Sequence, residues 1–194
     1  MRDMDNLGWL IPVIIVAVIV IAALVWFFAT RARLQSASVR VDEAWNDIAD
    51  QIKRRSDLVP SLISSVSEYT GERQQVFGEL SAASDDAVAS TGPMDAAQAE
   101  DRFQGALRSL FGLATGYPQL TQNPNFLQLK ADLVQTEDKI QTARRNYNGT
   151  VRGFNRQVTA FPNRIVAGSA HAHPRDFYEV NDRAAISEPP RVQF

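Results

Sequence analysis

The chain has no cysteine in its 194 residues. That excludes disulfides, thiolate zinc sites, iron–sulfur clusters and a cysteine nucleophile together. It also lacks a basic excess. Twenty Lys and Arg stand against 22 Asp and Glu, for a formal charge of -2, whereas a nucleic-acid module is normally clearly basic. Absent as well are the Gly-x-Ser-x-Gly elbow, Ser-x-x-Lys, the phosphate-binding Gly-x-x-x-x-Gly-Lys loop, Gly-x-Gly-x-x-Gly and His-Glu-x-x-His. The expectation is therefore a protein without catalytic residues, cofactor, metal, nucleic-acid partner or small-molecule substrate. The only histidines are His171 and His173, and their His-x-His spacing chelates a metal only in an extended backbone, so they read as solvated loop residues.

One further absence sets the class. No residue between Asp5 and Arg31 is charged, and Leu7 to Thr30 is almost wholly apolar, about 36 Å long as a helix. A secretory signal has a shorter apolar core, a basic start and small residues at a cleavage site. A buried core helix explains so long a charge-free stretch poorly. The run reads as a transmembrane helix, with Trp9 and Trp26 as aromatics near its two interfaces. Arg31, Arg33 and Arg40 follow it, while Arg2 alone precedes it. By the positive-inside rule the main domain faces the cytoplasm, anchored in the plasma (inner) membrane.

The remainder reads as long helices. A seam close to a 3.5 period runs Val41, Trp45, Ile48, Ile52, Arg55, Val59, Leu62, Val66, Tyr69, Arg73, Val76 and Leu80, and predicts one helix to about Ser84. Polar stops at Ser84–Asp86 and Ser90–Pro93 predict a loop. A second stripe runs Ala99, Phe103, Ala106, Leu110, Leu113 and Tyr117. A third runs Leu133, Ile140, Arg144, Tyr147, Val151, Phe154, Val158, Phe161 and Ile165, with Glu137 in its gap. There is no period-2 pattern. The fold class is all-α: an N-terminal transmembrane helix continuing into an elongated antiparallel up-and-down helical bundle with coiled-coil-like seams. The organisation is 1–6 tail, 7–30 span, 31–40 helical connector, 41–170 bundle and 171–194 a partly irregular segment near the membrane.

Polar residues on these helices read as structural. In "KRRSDLVPSL", Lys53, Arg54 and Arg55 fan over about 200° of helix and cannot converge on one anion. Asp50 and Asp57 are placed for local ion pairs with Lys53 and Arg54. Arg55 lies on the seam and needs a partner from another helix, with Glu137 and the asparagines of the third stripe as candidates. Pro60 removes the hydrogen bond to the Ser56 carbonyl within a continuing helix. "YNGTVRGFN" repeats an aromatic–asparagine pair after seven residues, so Asn148 and Asn155 read as interhelical register-setters, and Gly149 and Gly153 as points of close helix approach. Arg31, Arg33, Arg40, Arg164 and Arg175 are candidates for lipid-headgroup contact, each worth about 1 kcal/mol.

"VDEAWNDIADQIKRRSDLVPSLISSVSEY", "YNGTVRGFNRQVTAFP" and the closing "PPRVQF", behind one N-terminal span, resemble the LemA family of bacterial membrane proteins. The resemblance covers nearly the whole chain. It implies an antiparallel helical bundle with a cytoplasmic main domain and no established catalytic activity; some relatives are associated with organising internal membranes. The signature positions it carries over are Trp45, Arg54, Arg55, Asp57, Leu58, Pro60, Tyr147, Asn148, Phe154, Asn155, Phe161 and Pro162. The function expected is a non-enzymatic, single-pass helical scaffold that self-assembles or binds a membrane-protein partner at the bilayer. The alternative is an adaptor for a membrane-bound enzyme such as a protease.

Overall fold

The computed structural model describes residues 10–71 and 74–179. Trp9 and the closing "PPRVQF" lie outside them. Helices α1 (Leu10–Thr70), α2 (Gln74–Ala89), α3 (Pro93–Ala114), α4 (Pro118–Thr121), α5 (Pro124–Thr159) and α6 (Asn163–Ala167) are followed by a 3-10 turn (Gly168–Ala170). Among the described residues there is no strand. A long apolar helix leads into a helical bundle. The chain divides into two compact units, one of residues 42–151 and 176–194, the other of 1–41 and 152–175.

In the first unit, α1 and α5 run antiparallel in constant register. Trp45 meets Tyr147, Arg55 meets Glu137 and Tyr69 meets Asn123. Asn123 fixes the start of α5. Its Oδ1 accepts the Asn125 and Phe126 amides at 2.8 and 3.4 Å, and its Nδ2 donates to the Tyr69 hydroxyl at 2.9 Å. Pro124 then occupies the first turn, where a missing N–H leaves nothing unpaired. Helices α2 and α3 pack on α1 and α5 around a core that includes Leu62, Val66, Leu80, Phe103, Leu110, Leu120, Phe126 and Leu133.

Three boundaries differ from those the periodicity predicts. Helix α1 ends at Thr70, not near Ser84: Gly71 adopts φ +66°, and its amide closes on the Ser67 carbonyl at 3.0 Å, the left-handed stop that glycine allows without steric cost. Val76 and Leu80 therefore belong to α2. Ser84–Asp86 are helical, because Ser84 is buried and its hydroxyl donates to Ser56 at 2.8 Å. Helix α5 stops at Thr159, short of Phe161 and Ile165, which are 85% and 68% exposed and are not seam residues.

In the second unit, α1 presents Thr30, Leu34, Ala37 and Val41 as a buried stripe at helical spacing. Phe154, Val158, Val166, Ala167 and Ala172 are the buried apolar residues of the returning chain. From residue 12 to residue 26 every α1 side chain is exposed, and α1 holds an apolar stretch of 18 residues, enough by length and composition to cross a membrane.

Candidate functional site

The most developed polar site lies inside the first unit, on Arg55. Its side chain is 2% exposed. Arg55 Nη2 and Nη1 donate to the two carboxylate oxygens of Glu100 at 2.6 and 2.9 Å, and Nη1 also donates to Glu137 Oε2 at 2.8 Å. The guanidinium lies 4.0 Å from the centre of the Phe103 ring, a cation–π contact. Gln104 Nε2 ties the two acids together, donating to Glu100 Oε1 at 2.8 Å and Glu137 Oε2 at 3.1 Å. Gln141 donates to Glu137 Oε1 at 3.2 Å and accepts from Arg144 Nη2 at 2.8 Å.

Burial alone lowers the Arg55 pKa, but the hydrogen bond and charge of Glu100, joined by those of Glu137, outweigh it and raise the pKa. The arginine is a permanent cation here. Each of the two carboxylates accepts three hydrogen bonds, Glu100 from Arg55 and Gln104 and Glu137 from Arg55, Gln104 and Gln141. The evident effect of the cluster is to fix the mutual register of α1, α3 and α5.

The Glu137 partnership is the one the seam suggests; the asparagines are not partners of Arg55. Glu100 is the larger partner and escapes the periodicity. Its signal is an acid at the edge of an apolar stripe, four residues after Ala96 and three before Phe103. Arg54 and Asp57 are exposed, and among the described residues neither the Asp50–Lys53 nor the Asp57–Arg54 ion pair forms. Leu58 packs against the core, and Pro60 stands on the exposed side of α1.

The asparagines hold backbone, correcting their expected interhelical role. Asn148 donates to the Tyr178 carbonyl at 3.0 Å and accepts the Tyr178 amide at 2.9 Å. A planar amide thus mimics a neighbouring strand and satisfies an irregular segment that has no ladder of its own. Tyr147 donates its hydroxyl to the Asp176 carbonyl at 2.9 Å. Tyr178, 1% exposed, faces Trp45 at 6.2 Å between ring centres, and Trp45 meets Tyr147 edge-on at 5.7 Å. The Tyr178 hydroxyl and Gln51 Oε1 are buried without a hydrogen-bond partner. Burial, then the Glu100 charge, pushes the Tyr178 pKa well above the ordinary tyrosine value, against opposing effects of Arg55 and Arg144.

A second asparagine clamp lies within the other unit. Asn155 donates to the Arg175 carbonyl at 2.9 Å and accepts its amide at 2.8 Å, while Arg175 Nη2 donates to Ser38 Oγ at 3.2 Å. Arg40 donates to Ser36 Oγ at 3.0 Å. Phe154 is buried there, whereas Phe161 and Pro162 are exposed. A Cβ built on Gly149 or Gly153 would meet nothing within 4 Å, so neither glycine serves a close helix approach. Among the described residues no three His, Asp or Glu side chains gather as a metal would require.

A family model for the LemA family matches residues 44–194, taking in both the Arg55 cluster and the Asn148 clamp. The chain belongs to the LemA family. Its LemA-matched region begins at Ala44, after the apolar part of α1, so the membrane reading stands on the character of that helix itself. No curated protein matches this LemA chain. The positions carried over from the resemblance divide by what they touch: Arg55, Tyr147, Asn148 and Asn155 make specific polar contacts, Trp45, Leu58 and Phe154 pack, and Arg54, Asp57, Pro60, Phe161 and Pro162 are exposed.

Proposed function

We propose that this LemA-family chain is a single-pass protein of the plasma (inner) membrane with a cytoplasmic main domain, acting as a non-enzymatic scaffold. In this reading it self-assembles, or binds a membrane-protein partner, to organise or shape the bilayer. The observation that carries it is α1: one helix supplies both an exposed apolar stretch of membrane-crossing length and a core stripe of the bundle. The tightly paired Arg55, held by Glu100 and Glu137 from two other helices, supports a structural use of buried charge.

Exposed apolar residues beside a groove on the first unit support the reading that it binds a partner. Leu127 and Val134, seven residues apart on α5, are 48% and 56% exposed, and Val134 borders a groove of about 400 Å³. A neighbouring groove of about 530 Å³ runs between α1 and α5, where it is lined by residues including Asp47, Gln51, Asp138 and Lys139. Crosslinking in intact membranes from a single cysteine at Val134 separates self-assembly from binding of a partner. Adducts between copies are expected for a scaffold, one heterologous adduct for an adaptor, and no adduct at all contradicts both.

A further inference from the structure

Among the described residues, Phe161 and Ile165 are the most exposed large apolar side chains outside the span, at 85% and 68%. Phe161 lies in the turn that joins α5 to α6, and Ile165 lies in α6 next to Arg164, also exposed. The same turn of chain buries Val166 completely and Ala167 to 5% exposure, so α6 has an inner face and a distinct outward apolar one. Soluble domains seldom present an aromatic and a β-branched residue this openly side by side without a use for them.

The level of this turn follows from contacts within its own unit. Arg175 bonds both Ser38 of α1 and Asn155 of α5, which sets those three together. From Asn155 to Phe161 is about 9 Å along a helical path, and from Ser38 back to Thr30 about 12 Å. Thr30 and Leu34 are 5% and 1% exposed, whereas the α1 residues from 12 to 26 are uncovered. Leu34 and Thr30 are covered in a compact unit whose other part is residues 152–175, and the helical rise on each side of the Arg175 contacts brings the turn near the level at which the exposed apolar stretch begins. Arg31 and Arg33 are exposed at that level.

We propose that Phe161 and Ile165 insert into the membrane interface beside the span, forming a second, peripheral contact with lipid, while Arg164, Arg31 and Arg33 lie among anionic headgroups. Aromatic and aliphatic side chains backed by arginine suit the boundary between headgroups and acyl chains. This inference rests on reading α1 as a membrane span.

The lack of cysteine makes the test direct. Full-length single-cysteine variants Phe161→Cys, Ile165→Cys, Val20→Cys and Arg145→Cys, each carrying an environment-sensitive fluorophore, are reconstituted in phosphatidylcholine–phosphatidylglycerol vesicles containing nitroxide lipids. Val20 is expected to lose emission to a nitroxide deep in the acyl chains. Phe161 and Ile165 are expected to lose it to a nitroxide just below the headgroups, and Arg145 to neither. Labels at Phe161 and Ile165 as unquenched as that at Arg145, with Val20 quenched, overturn the insertion and leave the span intact. An unquenched Val20 overturns both.

Discussion

Arg55 illustrates how one residue reports on partners far away in sequence. A permanent cation on an apolar seam must be answered by acids from other helices, and the structure supplies Glu100 and Glu137. Removing the cation alone leaves the buried Glu100 and the part-buried Glu137 without their shared partner. Arg55→Met is expected to cost about 3–5 kcal/mol of unfolding free energy. The triple variant Arg55→Met, Glu100→Leu, Glu137→Leu should recover most of that, because a packed apolar trio carries no desolvation cost. Urea denaturation of the detergent-solubilised chain reads both. The seam made Arg55 and Glu137 legible, but Glu100 sits beside its stripe rather than on it, and the aromatic Tyr178 follows no period at all.

Tyr178 gives a second test at this scale. Its folded pKa lies above the ordinary value of 10.0, so the folded chain holds the phenolic proton more tightly than the unfolded chain. The stability this contributes is complete below about pH 10 and drains as pH rises toward the folded value, by at most about 1.4 kcal/mol per pH unit. Tyr178→Phe is expected to flatten that alkaline slope. At neutral pH it should cost nothing, since the hydroxyl it removes has no partner. A variant as alkali-sensitive as the wild type contradicts the assignment.

For the helices, periodicity was informative about existence and poor at ends. Proline opens both α3, at Pro93, and α5, at Pro124. The break after Thr70 was not legible, because Val76 and Leu80 happen to continue the seven-residue spacing in a new helix, and only the left-handed Gly71 betrays the stop. The asparagine repeat was visible, yet its target was not: a clamp on extended backbone leaves no pattern in the segment it holds. Gly149 and Gly153 were misread for a related reason, as open space beside a helix leaves no trace in its sequence. Gly149→Ala and Gly153→Ala are each expected to stabilise the chain by about 0.5–1 kcal/mol, through lower backbone entropy in the unfolded state. Thermal unfolding checks this, and a fall in midpoint would show that the glycines are packed after all.

At the scale of the whole chain, α1 ties an apolar stretch to a bundle whose buried arginine is held by two acids, and α5 turns Leu127 and Val134 outward. That combination suits a protein that works by holding others, or copies of itself, at a membrane. The most direct test is native mass spectrometry of the full-length protein released from lipid nanodiscs prepared without detergent from its own membranes. The expected result is a multiple of the chain mass, or the chain bound to a defined membrane-protein partner. A lone monomer with lipid only, at every protein concentration in the nanodisc, would contradict the scaffold account.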